Sequence, residues 1–332
     1  MLRDGGRKSC FRTAALSRQS TSIKDINVTR SSSPPQSRRR ARLRAQAPAA
    51  LALAPAAVIA IVAYIGAIVW TVTLSFTNSK LLPSYTFVGL SQYVRLFNTE
   101  TFTSSGWNIL LFGVLFIAGS LVFGFLLAVF IDQNVRCEGV FRTIFLYPYA
   151  MSFVVTGLVW QWFLSPELGV QKIVRDLGFS AFTFDWLVNP DMVIYTLVIA
   201  AIWQASGLVM ALLLAGLRGV DSDLWKAIKI DAIPTWRAYV SIILPTISPM
   251  VVTATVLLAT AVAKLYDLVV AMTLGGPGIS SQVPAKFVMD NLLERANVGL
   301  ATSAATVMLV TVVAIMSPFI YAQHFRRKGV RK

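Results

Sequence analysis

Apolar residues along this chain occur in long blocks that are separated by shorter polar segments. A helix needs about 20 predominantly apolar residues to cross the hydrocarbon core of a bilayer. Six blocks reach that length, and they lie at about residues 49–76, 107–132, 143–164, 191–217, 247–272 and 297–322. The pattern therefore predicts an all-α polytopic membrane protein with six transmembrane helices.

Composition agrees with this interpretation. Of the 332 residues 56% are hydrophobic and 14% are charged, whereas soluble domains carry roughly 25% charged residues. A soluble globular protein and a disordered chain are therefore both poor explanations. The first block is not a signal peptide, because it follows a long polar segment and exceeds the usual apolar region of about 7–15 residues.

Charge indicates which side of the membrane each connection faces. The segments 1–48, 133–142, 218–246 and 323–332 together carry 23 Lys and Arg residues, against six in the alternate loops 77–106, 165–190 and 273–296. Cytoplasmic loops carry the excess of positive charge. Both termini are therefore expected in the cytoplasm, and a bacterial inner (plasma) membrane is what the family resemblance described below implies.

The basic N-terminal segment, residues 1–48, is expected to be a disordered cytoplasmic tail that touches anionic lipid headgroups. Its Arg-rich, Ser-rich composition also fits a transit peptide or a start codon assigned too early. The shorter C-terminal tail, residues 323–332, is basic as well. The net charge of +15 would favour nucleic acid in a soluble protein, but here it lies in membrane-flanking segments, and no nucleic-acid partner is expected.

Catalytic and metal-binding patterns are absent from the sequence. There is no GxGxxG, Walker A, HExxH or GxSxG motif. Two cysteines, Cys10 and Cys137, and a single histidine, His324, cannot build a common metal site. No hydrophilic stretch is long enough for a nucleotide-binding domain. We therefore expect a non-catalytic chain without a cofactor of its own, and any ATP must be hydrolysed by another chain.

The most informative polar segment is the loop at residues 220–245, which we call the coupling loop. Asp221 is placed to cap a helix over about 222–232, because a carboxylate favours a helix N-terminus. Pro234 favours a break, and Pro245 can begin the next membrane helix. The pattern predicts a helix–turn–helix on the cytoplasmic face, which could lie in the membrane interface or dock on a partner.

This loop resembles the EAA loop of ABC importer permeases, and particularly of the carbohydrate-type, binding-protein-dependent permeases. The family pattern of Glu-Ala-Ala, Asp-Gly-Ala and a terminal Leu-Pro is matched here by Lys226-Ala227-Ile228, Asp231-Ala232-Ile233 and Leu244-Pro245. The sequence departs from the pattern at three positions, where Lys226 replaces an acidic residue, Ile228 an alanine and Ala232 a glycine. Three other blocks resemble the same family, at residues 87–97, 141–148 and 266–278, so that the resemblance spans roughly residues 50–322.

The resemblance implies a type I ABC importer permease fold and a set of partners. These partners are a second permease subunit, usually a different chain, two ATPase subunits that bind ATP and Mg, and a solute-binding protein. In this family the loop is the helix that couples the permease to the ATPase. The residues assigned to that contact are Leu224, Lys226, Ala227, Ile228, Asp231, Ala232, Leu244 and Pro245.

Four polar or aromatic residues inside the predicted spans are candidates for the translocation pathway. Lys264 and Asp267 lie three residues apart in the fifth span, where they could form a structural pair on one helix face or line the path. Trp203 and Gln204 lie in the fourth span and could contact a sugar by stacking and hydrogen bonding. Pro148 is expected to kink the third span, as prolines do in many membrane helices.

The resemblance favours a hexose such as glucose or mannose as the substrate. The segments 223–227 and 283–288 carry this likeness. Oligosaccharides and glycerol 3-phosphate are alternatives within the same family. An ion-driven secondary transporter or channel, which would work without an ATPase or a binding protein, and a membrane scaffold without transport are rivals from other classes.

Overall fold

The computed structural model describes residues 36–81, 86–133 and 135–329. It separates into two units, Met1–Val62 and Ala63–Lys332. The first unit contributes the early part of helix α1, which runs over Gln36–Ser75. Residues 1–35 of the expected tail lie outside the described residues, whereas 36–48 are helical rather than irregular. This segment is rich in Arg and Ala, which are strong helix formers.

Within the described part of the second unit, helices joined by loops and turns form the regular structure, apart from one isolated bridge between Thr77 and Phe87. Its remaining helices are α2 (Ser91–Phe97), α3 (Glu100–Asp132), α4 (Glu138–Ala150), α5 (Phe153–Phe163), α6 (Val170–Asp176), α7 (Val193–Arg218), α8 (Ser222–Ile230), α9 (Thr235–Ala238), α10 (Leu244–Thr246), α11 (Ser248–Ala263), α12 (Asp267–Thr273), α13 (Pro284–Met289) and α14 (Val298–Gly329). Two π-helical turns, Tyr239–Ile243 and Asp290–Glu294, follow α9 and α13.

Within the described residues, four helical stretches are long and apolar enough to cross a membrane, and they cover Leu53–Ser75, Glu100–Asp132, Val193–Arg218 and Val298–Ile315. Two further pairs of helices qualify as bent spans. The pair α4 and α5 is bent by 99°, and the segments Thr235–Thr246 and Ser248–Ala263 are bent by 75°. Counting each bent pair as one span gives up to six spans, which is the number that the sequence predicts. The second pair begins at Thr235, within the loop 220–245, whereas the predicted fifth span begins at residue 247.

The core of this unit is built around α3 and α7, which pack along much of their length. Small residues allow the two backbones to approach, as they commonly do between membrane helices. A Cβ atom on Gly124 would lie 2.6 Å from the side chain of Val209, and a Cβ atom on Gly119 would overlap Ile202. A Cβ atom on Gly207 would likewise overlap the backbone carbonyl of Phe145 on α4. Glycine at these positions therefore fixes α7 as the central helix.

The third span is interrupted at a different place from the one predicted. Helix α4 continues through Pro148 and ends at Ala150, and the 99° bend follows at Met151 and Ser152. Ser152 begins the new helix by accepting a hydrogen bond from the backbone N–H of Val155 at 3.3 Å. The bend thus lies where a side-chain cap is available, and not at the proline.

The fifth span is also discontinuous, whereas the sequence pattern predicts a continuous helix over 247–272. Helix α11 ends at Ala263, and Lys264 adopts a non-helical conformation with φ −99° and ψ 13°. A new helix, α12, starts at Asp267. This helix packs on α5 through Gly157, where a Cβ atom would lie 2.7 Å from the Cβ of Ala271.

Candidate functional site

The coupling loop forms the helix–turn–helix that its sequence predicts. The Asp221 carboxylate accepts a hydrogen bond from the backbone N–H of Asp223 at 3.0 Å, so the predicted N-terminal cap of α8 is confirmed. The helix ends at Ile230, two residues before the predicted boundary.

A closed backbone turn ends α8, and Ala232 lies at its centre with φ +50°. The N–H of Ile233 donates to the carbonyl of Ile228, and the N–H of Ala232 donates to that of Lys229, both at 3.2 Å. This pair of hydrogen bonds defines a Schellman motif, whose left-handed residue is usually glycine. The family pattern has glycine at this position, and Ala232 keeps the turn in spite of its Cβ atom.

The sequence-assigned coupling residues fall into three groups by exposure in the structure. Lys226, Ala227, Asp231, Ala232 and Pro245 are exposed, whereas Leu224 and Leu244 are half-buried. Ile228 is only 6% exposed and belongs to the core of its own chain. Its side chain therefore anchors α8 to the rest of the chain, and a contact between Ile228 and a partner stays a prediction.

Two exposed side chains on the loop were missed by sequence reasoning. Ile230 is 83% exposed and Trp236 is 71% exposed. Ile230 lies three residues after Ala227, a helical spacing that would have placed the two on one face. We call the exposed set of Ala227, Ile230, Ala232 and Trp236 the docking surface.

Lys226, the departure from the family's acidic residue, pairs within its own helix. Its Nζ atom lies 2.8 Å from Oδ1 of Asp223, and both side chains are largely exposed. Exposed pairs of this kind contribute little to stability. The charge of Lys226 consequently remains accessible to a partner.

Aromatic rings connect the inner face of the coupling loop to α3. The rings of Trp225 and Tyr239 meet edge to face with centroids 5.5 Å apart. Tyr239 meets Phe125 on α3 in the same manner at 6.3 Å. Such pairs are favourable beyond the area that they bury, so the loop is fixed to α3 through Tyr239.

An ionic cluster fixes the start of the same loop. Arg218, the last residue of α7, donates from Nη2 to Oε1 of Glu138 at 2.7 Å, and its Nε lies 4.0 Å from Oδ1 of Asp132. Asp132 ends α3 and Glu138 begins α4. This cluster therefore joins the ends of α3, α4 and α7 just before α8.

A depression lies between the two helix breaks, and it brings together side chains from five helices. Its lining residues are Phe112, Phe116, Phe153, Ala201, Ala261, Lys264, Leu265, Tyr266, Asp267 and Leu268. Lys264 and Asp267, two of the predicted pathway residues, are both exposed at this site. The ion pairs found among the described residues do not include one between them, because the break in the span separates the two positions.

The other two pathway candidates lie on α7 beside the break in the third span. The Nε2 atom of Gln204 donates to the carbonyl of Met151 at 2.7 Å. The Oε1 atom of the same side chain is buried without a partner among the described residues. Trp203 is 37% exposed and packs edge to face on Trp160 with centroids 5.9 Å apart. Gln204 thus holds the bent backbone, and Trp203 packs against α5.

A half-buried ion pair does occur, on α13 and its π-helical extension. The Nζ atom of Lys286 lies 2.8 Å from Oδ2 of Asp290, and the two side chains are 13% and 15% exposed. Gln282 donates to the same carboxylate at 3.1 Å. Asn108 on α3 donates to the carbonyls of Ile279 and Gln282 at 3.3 and 3.0 Å. This network ties the loop after α12 to α3.

Comparison with known proteins places this fold in a family. The model of the "Binding-protein-dependent transport system inner membrane component" family matches residues 120–329. A probable ABC transporter permease of Pyrococcus horikoshii is 36% identical over 257 residues, which cover 77% of this chain and 88% of that protein. The xylose/arabinose import permease of Haloferax volcanii is 29% identical over 79% of this chain and 84% of its own length.

The fold is also that of a solved permease. A chain from the crystal structure of a bacterial ABC transporter involved in the import of the acidic polysaccharide alginate superposes with a TM-score of 0.73 at 20% identity. The match covers 88% of this chain and 99% of that chain. The all-helical permease architecture predicted from the sequence is therefore confirmed. The chain is a multi-pass membrane protein that belongs to the family of binding-protein-dependent transport system inner membrane components.

Proposed function

We propose that this chain forms one half of the pathway of an ABC importer and that its coupling loop docks on a separate ATPase subunit. The docking surface is the observation that carries this proposal. It consists of two large apolar side chains, Ile230 and Trp236, and two small residues, Ala227 and Ala232, all of them exposed. Exposed apolar groups of this kind mark interaction sites, and alanines allow another chain to come close.

The other half of the pathway is a second permease subunit in this proposal, and a different chain is favoured by the resemblance. Two ATPase subunits bind ATP and Mg, and this chain hydrolyses none. A solute-binding protein delivers the substrate from outside. The family description supports dependence on such a protein, and the charge distribution supports cytoplasmic termini.

The proposed substrate is a sugar, and more specifically a hexose such as glucose or mannose. Named relatives include a xylose/arabinose import permease, a trehalose/maltose permease and a glucose import permease. The depression has a volume of only about 10 Å³ in this conformation, which is too small for a sugar. Its lining nevertheless carries suitable groups, because rings stack on the apolar face of a sugar and charged groups bond its hydroxyls. Lys264, Tyr266 and Asp267 supply both kinds of group at one site. Oligosaccharides and glycerol 3-phosphate are the alternative cargoes.

Docking is tested by enlarging one small residue of the docking surface. Ala232→Trp should prevent the ATPase from seating and should reduce its co-purification with the permease pair by about tenfold, because overpacking costs about 1–3 kcal/mol. Ala181→Trp, at an exposed position in the loop 165–190, is the matched control and should leave co-purification unchanged. Normal assembly and normal coupling in Ala232→Trp would overturn the docking assignment and favour an interfacial helix.

Transport is tested in proteoliposomes that contain both permeases and the ATPase. Binding protein loaded with glucose, mannose, maltose or glycerol 3-phosphate is added in turn, and ATP hydrolysis and uptake are measured together. The proposal expects hydrolysis and uptake to rise together with one sugar. Uptake that proceeds without the ATPase would instead identify an ion-driven transporter.

A further inference from the structure

We propose that Tyr239 is a positioning residue that transmits movement of the coupling loop to the depression through α3. This inference rests on the proposed ATPase docking. Its first support is the orientation of α8, whose two faces are separated. Ala227 and Ile230 face outward, whereas Ile228 packs in the core and Trp225 is half-buried beneath the helix. If the ATPase pushes on the outer face of α8, the displacement is therefore passed to Trp225 and Ile228 on its inner face.

The second support is the continuity of the ring contacts. Tyr239 is the half-buried ring between Trp225 and Phe125, at 5.5 and 6.3 Å. Both contacts are edge to face, with interplanar angles of 66° and 79°. Protein interiors are close-packed and transmit strain. Displacement of Trp225 is thus passed to α3 by direct contact.

The third support is the backbone on which Tyr239 lies. Tyr239 begins the π-helical turn Tyr239–Ile243, which is followed by the 75° bend near Ile247. Isolated π-helical turns are rare and often mark functional sites. A turn with this altered hydrogen bonding, next to a bend, allows Tyr239 to move with α8 while α11 stays in place.

The fourth support is the content of α3 itself. The helix that receives the contact at Phe125 also carries Phe112 and Phe116, which line the depression beside Lys264 and Asp267. Phe116 lies roughly 13 Å from Phe125 along the axis at 1.5 Å per residue. A small tilt or shift of α3 at Phe125 therefore changes the shape of the depression. The ionic cluster of Arg218 joins the ends of α3, α4 and α7.

The experiment uses the complete transporter and ATP as the probe, so that no cargo has to be known. Cys10 and Cys137 are changed to Ser, and Ala261→Cys places one thiol in the wall of the depression. The rate of labelling of this thiol by a small maleimide is measured with and without ATP. In the parent complex ATP should change the rate. Tyr239→Leu should reduce that change by about three- to tenfold, in line with the coupling carried by single residues.

Three controls separate transmission from folding. Tyr239→Phe keeps the ring and should keep the response to ATP. Phe76→Leu removes a half-buried ring that contacts Phe87 and Tyr93, neither of which lies on α3, and it should also keep the response. Co-purification of the ATPase should be unchanged in all variants. Combining Phe125→Leu with Tyr239→Leu should add no further loss, because both changes interrupt one path.

The outcomes distinguish the two proposals. If the parent complex shows no change of labelling with ATP, the proposed function fails, and the relay fails with it. If the parent responds and Tyr239→Leu responds equally, the docking proposal stands and the relay is overturned. Additive losses in the double variant would also count against a single path through Tyr239.

Discussion

At the scale of single residues, Ala232 holds a conformation that suits glycine better than alanine. Its φ of +50° lies in the left-handed region, which costs L-residues roughly 1–2 kcal/mol. We predict that Ala232→Gly strengthens the turn and slows hydrogen exchange of the Ile233 amide by about fivefold, whereas Ala232→Val speeds it. Hydrogen–deuterium exchange on the assembled complex is the measurement. Faster exchange in Ala232→Gly would show that the turn is not strained.

Residue-level features of the coupling loop could be predicted where the signal is local. A carboxylate before a helix and a proline after it act within a few residues, so Asp221 and the turn before Pro234 were predictable. The burial of Ile228 depends on what α8 packs against, and no local pattern contains that. Ile230 and Trp236 were missed for the same reason, because their exposure is a property of the packed chain.

At the scale of helices, the bend in the third span depends on one side chain from another helix. Gln204 satisfies the carbonyl of Met151, and a buried carbonyl without a partner costs about 1–3 kcal/mol. Gln204→Leu should therefore lower the melting temperature of the purified complex by several degrees. Gln161→Leu on α5 is the control, because the side chain of Gln161 makes no hydrogen bond within the described part of the chain. Equal melting temperatures for the two variants would contradict a structural role for Gln204.

The ion pair on α13 gives a second prediction at this scale. Removal of one partner of a fully buried pair costs about 3–5 kcal/mol, whereas removal of both costs less. Lys286 and Asp290 are half-buried, so the cost here should be smaller but of the same sign. Lys286→Met and Asp290→Asn should each reduce the yield of folded complex, and the double variant should recover part of it. Lys264→Met and Asp267→Asn, at exposed and unpaired positions, serve as the matched set. Their effects on the yield of folded complex should be small and additive. Recovery in their double variant would instead indicate that Lys264 and Asp267 form a pair.

The two helix breaks show why the sequence left both a structural pair and a place on the path open for Lys264 and Asp267. Hydrophobicity defines where a span lies but carries no information on its continuity. In the third span the proline was the visible signal, yet the bend falls at Met151, where Ser152 and Gln204 satisfy the backbone. In the fifth span a run of apolar residues on either side of Lys264 hides the interruption. Contacts between distant helices decide both cases.

At the scale of the whole molecule, the orientation in the membrane remains a prediction. On a background without Cys10 and Cys137, a cysteine at the exposed position of Ile230 should react with an impermeant reagent only in inside-out vesicles. A cysteine at Leu177, which is 73% exposed, should react only in right-side-out cells. Labelling of Ile230→Cys from outside would overturn both the charge-based sidedness and the docking proposal.

The architecture of the whole chain was more accessible from the sequence than its site. Six apolar blocks and an ordered series of family-like segments were sufficient for the permease fold, because span hydrophobicity is set by the bilayer. The depression assembles residues from α3, α5, α7, α11 and α12, which are far apart along the chain. Lys264 and Asp267 could be selected as ionisable residues in apolar surroundings, but Phe112, Phe116 and Phe153 look like ordinary core residues until the helices are packed.

The closed turn at the end of α8 has a consequence for the speed of assembly. Because the Asp221 cap and the hydrogen bonds around Ala232 lie within the loop, its shape exists before any partner arrives. A preformed surface loses little conformational freedom on binding, and association without a conformational change is comparatively fast. Encounter with the ATPase should therefore be limited by diffusion and orientation rather than by folding of the loop, and differences between variants of the docking surface should lie mainly in how long the complex survives.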